Sequence, residues 1–495
     1  MTKKPNIIIF CTDEQRGDYL GCMGHPDLKT PNIDRIAAEG TLFRNCYSSS
    51  PICMPARATM FTGQTNRITG VVDNGKELPH DIPTLPGILA DAGYRTHSIG
   101  KLHLQNWGGE FSKGETALTN PERREYWDWP GRREGNLFKH FPDNYYGFQT
   151  VELANGHVNY IYGDYVTWLE EKHPGAYAGY KCSNADPHPL AIEPEQHYNN
   201  WIADRSIAFI EEEKDKENPF FIWCSFPDPH EPFAAVKKWS DFYEDVDIEL
   251  PTQTLKLSPD SRSETMTKAG LGTEVIDPEL VKKSIKQTYG MMSHVDEQVG
   301  RVLDSLTKNK LADDTIIMFI SDHGDQLGEH GLFFKSVYPY DAHAHIPFVV
   351  KVPGGEKGKV VDDIVSMLDL VPTVLDLAGV EHPIDKKRSD KSLKALPGEI
   401  LTPVVSGSEM PKRKNALIEI DRIGRGDLLQ MRALVNNDYK LVYYPVLQET
   451  ILFDRKNDPG EQKNLADEPE HQTLVQQMLK DLLSELARTE MPENR

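Results

Sequence analysis

Two pairs of residues, Asp13-Glu14 and Asp322-His323, each follow a short apolar run that reads as a buried strand. Carboxylates and an imidazole gathered from two strand ends are oxygen-rich donors suited to a hard divalent cation. Taken one pair at a time, such acids more often cap helices. Cys53 stands in Ser50-Pro51-Ile52-Cys53-Met54-Pro55-Ala56-Arg57, which runs into a helix-like stretch and the turn Thr62-Gly63. A nucleophile placed where a helix begins gains from free amides and the positive dipole end, both of which favour an anion. Arg57, one turn on, can lie beside it. Without a partner motif, an isolated cysteine is more often an inert buried thiol.

These groups meet only if the elements that carry them end on one side of a sheet. Residues 6–11, 96–99, 219–226 and 315–320 read as strands, and each run is followed by polar residues. Thr30 and Pro31 open a helix as N-cap and first-turn proline, Ile33, Ile36 and Ala37 share one face, and Gly40 closes it. Residues 84–93 repeat that design. The alternation predicts an α/β fold whose large, mostly parallel or mixed sheet is covered by helices. Ligands of such sheets bind beyond the carboxyl ends of the strands. Near residue 380 the texture changes to Pro-, Lys- and Asp-rich loops. Residues 429–435, 440–444 and 450–453 then read as short strands, and 470–488 as a helix. The chain is therefore expected to divide into a large α/β domain over residues 1–380 and a small domain of antiparallel sheet plus helix over 381–495. Residues 104–200 form a long irregular stretch, which reads as a functional insertion.

The segment Cys53-x-Pro55-x-Arg57 with Thr62-Gly63-Gln64 resembles the signature of type I sulfatases, a branch of the alkaline phosphatase superfamily. Similar to the same family are Thr12-Asp13-Glu14-Gln15, Gly100-Lys101-Leu102-His103, Asp228-Pro229-His230-Glu231-Pro232-Phe233, Ser321-Asp322-His323-Gly324, Gly328-x-His330-Gly331 and Lys335. Asp438-Tyr439-Lys440, Leu452-Phe453-Asp454, Asp458-Pro459-Gly460-Glu461 and Asn464-Leu465 resemble its small domain. The pieces follow in the family's order over nearly the whole chain. The resemblance implies an alkaline phosphatase-like fold and hydrolysis of sulfate monoesters. It also implies that a separate formylglycine-generating enzyme converts Cys53 to formylglycine. By the same resemblance Asp13, Glu14, Asp322, His323 and residue 53 would hold a divalent metal, calcium first, with magnesium or manganese as alternatives. Arg57 would support the nucleophile, Lys101 and Lys335 would neutralise sulfate oxygens, and His103 would bond the hydrated aldehyde. His230 would stand at the leaving oxygen as the acid, in the substrate-binding set with Lys101 and Lys335. Relatives commonly carry Asp or Gln where this chain has Glu14, whose extra methylene puts that ligand in question.

The residue types suit the reaction. Sulfate ester cleavage places negative charge on the departing oxygen and keeps it on the sulfuryl oxygens, so cations aimed at both lower the barrier. His230 must be protonated to help the leaving group and His323 neutral to bind metal, so opposite charge preferences are expected. The competing reading is a phosphonate monoester or phosphodiester hydrolase, a close relative with the same formylglycine. The resemblance places Lys101 and His103 on the sulfate side. A binding protein without activity is a reading of another class, and intact Cys53, Arg57, Asp322 and His323 argue against it.

A formal net charge of -21 argues against nucleic acid or an anionic membrane as partner, because the field of the molecule repels a polyanion. An anionic substrate must then be drawn in by a local cluster of cations. The 6 cysteines include no C-x-x-C pair, so a disulfide scaffold or zinc ribbon is not expected. Two lysines and a short apolar run at the start fall below a signal-peptide core. As written the chain is expected to be cytoplasmic, or periplasmic or secreted if a signal peptide has been removed. Residues 70–76 imitate phosphate-loop spacing, but Glu77 stands where Ser or Thr is required. Neither G-x-S-x-G nor H-E-x-x-H occurs.

Arg123, Arg124, Tyr126, Trp127, Trp129, Arg132 and Arg133, with Tyr160, Tyr162, Tyr165 and Trp168, suit stacking on sugars and holding their anionic groups, which points to a sulfated small molecule or glycan. They equally suit a packed subdomain or a homo-oligomer interface. His343 and His345 either line the substrate subsite or cap a strand.

Overall fold

A computed structural model of the chain describes residues 4–107, 121–122, 142–251, 277–388, 394–409, 413–422 and 429–490. Strand β1 (Asn6–Asp13) is buried along its whole length. Its side chains alternate between faces: Ile8 and Phe10 pack into one core, Ile7, Ile9 and Cys11 into a second. On either side of it, β6 (Phe220–Pro229) and β7 (Thr315–Ser321) divide in the same way, Ile222 and Phe319 facing the first core and Trp223 and Met318 the second. A strand apolar on both faces belongs in the middle of a sheet covered on both sides.

Among the described residues the sheet has nine strands. Their order is β5 (Tyr162–Gly163), β4 (Thr150–Asn155), β3 (Arg95–Gly100), β6, β1, β7, β8 (His345–Lys351), β2 (Thr41–Tyr47) and β9 (Lys359–Ser366). From β4 to β7 the neighbours are parallel. β8 runs antiparallel to both β7 and β2, and β5 antiparallel to β4, so the sheet is mixed with a parallel centre. This topology brings the carboxyl ends of β1, β2, β3, β6 and β7 to one edge. Helices Pro31–Ala38, Tyr198–Glu213 and Pro278–Lys308 cover the first core, and Cys53–Thr62, Leu85–Asp91 and Leu370–Leu377 cover the second.

The stretch 104–200 is less irregular than its sequence reads. β4 joins the main sheet beside β3, and Asp164–Lys172 is a helix. Tyr162 and Tyr165 are core residues, their hydroxyls donating to the main-chain oxygens of Glu122 and Gln196. That placement removes these two from the suggested sugar-stacking set. Tyr160 is 49% exposed and Trp168 packs at the edge of the first core, while Arg123 to Arg133 lie outside the described residues.

Among the described residues a second sheet of four antiparallel strands follows: β10 (Ala416–Arg422), β11 (Leu429–Val435), β12 (Tyr439–Tyr444) and β13 (Glu449–Asp454). One face packs on Tyr47, Tyr338, Tyr340 and Ile364, and the other lies under helix Gln472–Thr489 through Val475, Met478 and Leu482. Among the described residues no helix is long and apolar enough to cross a membrane.

Candidate active site

Asp13 ends β1, and Asp322 and His323 follow the last residue of β7, its neighbour in the sheet. Cys53 is the first residue of a ten-residue helix that is buried along its whole length. Thr62-Gly63-Gln64 ends that helix: the Thr62 hydroxyl donates to Ala58 O at 2.7 Å, Gly63 takes φ 67°, and Gln64 N–H donates to the Thr62 hydroxyl at 3.1 Å. The donor atoms of Asp13, Cys53, Asp322 and His323 all lie within 4.8 Å of one another in the interior. Cys53 Sγ is 3.2 Å from His323 Nε2, and His323 Nδ1 is 2.9 Å from Gly324 O. With Nδ1–H donating to that carbonyl, the Nε2 lone pair is left to face the cluster.

Asp322 is held firmly. Its Oδ1 accepts the amides of Glu14 at 3.0 Å and His323 at 2.9 Å, and its Oδ2 accepts Arg57 Nε at 2.9 Å. Arg57 Nη1 donates to Lys101 O and Ser225 Oγ, each at 3.1 Å, which links the end of β3 and the middle of β6 to the helix of Cys53. Lys101 Nζ bonds Asp13 Oδ2. Glu14 stands apart from the quartet: its Oε2 lies 2.7 Å from Lys335 Nζ and 2.9 Å from His230 Nε2, which are themselves 2.7 Å apart. Its backbone takes φ 67°, a strained conformation for a non-glycine residue and one that recurs at functional sites. Asp13 Oδ1, Glu14 Oε1, Arg57 Nη2 and His103 Nδ1 are buried with no hydrogen-bond partner among the described residues. Buried polar atoms are normally paired, so this concentration marks a place for a ligand.

A family model described as Sulfatase matches residues 5–380. The chain belongs to the sulfatase family. A second model, N-sulphoglucosamine sulphohydrolase, C-terminal, matches residues 328–489. The sulfatase is 28% identical to the arylsulfatase of Clostridium perfringens, over 98% of this chain and 94% of that one. It is also 28% identical to the N-acetylglucosamine-6-O-sulfatase of Bacteroides thetaiotaomicron, over 98% of this chain and 86% of that one. The solved phosphonate monoester hydrolase of Agrobacterium radiobacter superposes with a TM-score of 0.78 at 22% identity, covering 98% of this chain and 96% of that one, a likeness of fold. The protein is thus an enzyme that hydrolyses sulfate esters, on the fold of the alkaline phosphatase superfamily.

The sulfatase crowds charge into this corner. Burial pushes the Cys53 thiol up, but the cations of Lys335, His323 and Lys101 outweigh it and bring it down to about 6. Burial likewise opposes the His230 cation, yet Glu14 and Glu231 raise it well above the usual imidazole range. Burial lowers the His323 imidazole, but with no metal present Asp322 and Cys53 bring it up to about 9. The acid that favours an imidazolium there equally favours a divalent cation in its place.

Sequence reasoning missed several members. Glu231 Oε2 lies 2.6 Å from His230 Nδ1, His157 stacks on His230 at 3.6 Å between centroids, and Trp107 stacks on His103 at 3.8 Å. Only Glu231 had a local signal, its place beside His230. His343 lies 5.9 Å from the His323 ring, behind the cluster, and His345 Nε2 bonds Arg44 O away from it.

Proposed function

We propose that this sulfatase releases inorganic sulfate from a sulfated carbohydrate, with residue 53 matured from cysteine to formylglycine. In this reading Asp13, Asp322, His323 and residue 53 hold a divalent metal, calcium in the first place. The carrying observation is the meeting of those four side chains in one buried cluster flanked by Arg57, Lys101 and Lys335. Carboxylate oxygens with one imidazole suit a hard cation, and the unbonded Asp13 Oδ1 fits a ligand atom. Glu14 has Oε1 left to give while its Oε2 stays with Lys335 and His230. A bound divalent cation would polarise a sulfuryl oxygen and favour the ionised form of the attacking hydroxyl. Cys53 Sγ marks where the formylglycine oxygens would sit. A hydrated aldehyde carries two hydroxyls on one carbon, so after one takes the sulfuryl group, the other loses its proton and sulfate is expelled as the carbonyl re-forms.

The chain's own groups divide the remaining work. In this reading Lys101 and Lys335 neutralise sulfuryl oxygens, Arg57 holds Asp322 and borders residue 53, and His103 bonds the hydrate. His230, held as a cation by Glu14 and Glu231, supplies a proton to the departing oxygen. Support for a sugar comes from Trp107, His157 and the half-exposed Tyr160 beside the two catalytic histidines, and from the relative named for N-acetylglucosamine.

The test compares sulfate release from carbohydrate, aryl and choline sulfates with hydrolysis of phosphonate monoesters. One preparation, made with a formylglycine-generating enzyme, serves for all, and peptide mass analysis covers residue 53. Carbohydrate sulfate is expected to turn over fastest, with the aldehyde at 53. Full activity with an unmodified thiol, or faster phosphonate hydrolysis, would refute the reading.

A further inference from the structure

The turn that carries Lys101 and His103 leaves β3 through a bend that only glycine fits. Gly100 has φ 94°, and a Cβ there would lie 1.9 Å from Ser225 O, so the chain bends where no side chain fits. Three residues on, His103 holds φ 55°. Lys101 itself is anchored at both main-chain ends, its N–H to Ser225 O at 3.0 Å and its carbonyl to Arg57. The rest of the turn hangs on two buried side chains. Asn155, at the end of β4, accepts Leu102 N–H through Oδ1 at 2.9 Å and donates through Nδ2 to Glu122 Oε2 at 2.9 Å. Glu122 takes Leu104 N–H at 3.2 Å on both oxygens and the Tyr145 hydroxyl at 2.9 Å on Oε1. Its own carbonyl accepts the Tyr162 hydroxyl at 2.7 Å. Glu122 and Asn155 are both fully buried.

We infer that Glu122 and Asn155 are positioning residues, which clamp the 101–104 turn so that Lys101 and His103 face the sulfate group. The inference rests on the proposed roles of Lys101 and His103. Leu102 and Leu104 are the amides on either side of His103, so a carboxylate and a carboxamide bonded to each other fix the one residue whose backbone is strained. Leu78 N–H also bonds Leu104 O at 2.9 Å, which holds the far end but leaves the His103 peptide planes to Asn155 and Glu122. A buried carboxylate that accepts the Asn155 side-chain amide, the Tyr145 hydroxyl and the main-chain amides of Leu104 and His103 is poorly replaced by an amide, because a glutamine sets an N–H against one of these donors.

Glu122→Gln therefore keeps the volume and spoils the clamp. It is expected to lower kcat about tenfold per folded molecule, the scale of a small misplacement of catalytic groups. It should also weaken inhibition by inorganic sulfate several-fold, with the melting temperature within a few degrees of the parent. Tyr145→Phe removes one donor to Glu122, keeps the fold if Glu122→Gln does not, and should move kcat and sulfate inhibition the same way by less. Folded variants with unchanged kcat and sulfate inhibition would overturn the inference, as would losses explained wholly by the unfolded fraction. Lys101→Ala is measured alongside. If it cripples turnover while Glu122→Gln and Tyr145→Phe are silent, the clamp alone is refuted; if Lys101→Ala is itself silent, the sulfate-facing role and the clamp fall together.

Discussion

At the scale of single residues the site is a balance of opposed charges in a dry place. Arg57 is wholly buried and bonds Asp322, while Lys101 bonds Asp13, so the acids of the cluster are partly neutralised by fixed cations. Lys101→Ala should lower kcat about 10²–10³-fold with a smaller change in KM, the range for losing one group aimed at developing charge. Steady-state kinetics on a carbohydrate sulfate measures it. Exhaustive chelation should abolish turnover and calcium should restore it, checked by metal analysis alongside the assay. Retained activity with no bound metal would remove the cluster's proposed role.

At the scale of elements, the parallel centre of the sheet does the gathering, because strands running one way deliver their final residues to one edge. The helix Pro278–Lys308 backs this edge and buries His294, whose Nε2 lies 2.6 Å from Asn200 Oδ1. Burial brings His294 down to about 4 from the ordinary 6.5. The unfolded chain then binds a proton that the folded one refuses between those values. Stability from this residue is complete above pH 6.5 and is lost as pH falls toward 4. Urea melts at pH 7.5 and 5 should show the loss, and His294→Asn should show a smaller one. The strands at 6–13, 220–229 and 315–321 were legible because each is apolar on both faces and stops at polar residues. β4 was not: Thr150–Asn155 carries Thr, Glu and Asn among its apolar residues, the pattern of a strand near a sheet edge.

At the scale of the whole molecule, the small sheet braces the segment that presents Lys335. Lys440 of β12 is fully buried, donating to Pro339 O at 2.8 Å and pairing with Asp341 and with Glu461 at 2.5 Å. Tyr444 of the same strand donates to Val337 O at 3.2 Å. Lys440→Ala leaves the buried Glu461 carboxylate facing the partly exposed Asp341 and should destabilise the protein by about 3 kcal/mol. Denaturant unfolding measures that loss, and a raised KM in the folded fraction is expected because the Lys335 segment loses its anchor.

The amino-acid sequence by itself determined which residue types were on hand and where strands would release them: Asp13, Cys53, Arg57, Lys101, His230, Asp322, His323 and Lys335 were all readable from motif and pattern. Only the tertiary structure decided which of them touch. Register between β1 and β7 sets Asp13 beside Asp322, while Glu14, one residue further on, turns to Lys335 and His230. Likewise Tyr162 and Tyr165 are claimed by the core, and Glu122 and Asn155 meet the 101–104 turn. These outcomes depend on pleat, register and close packing between segments up to hundreds of residues apart, and spacing along a chain carries no record of them.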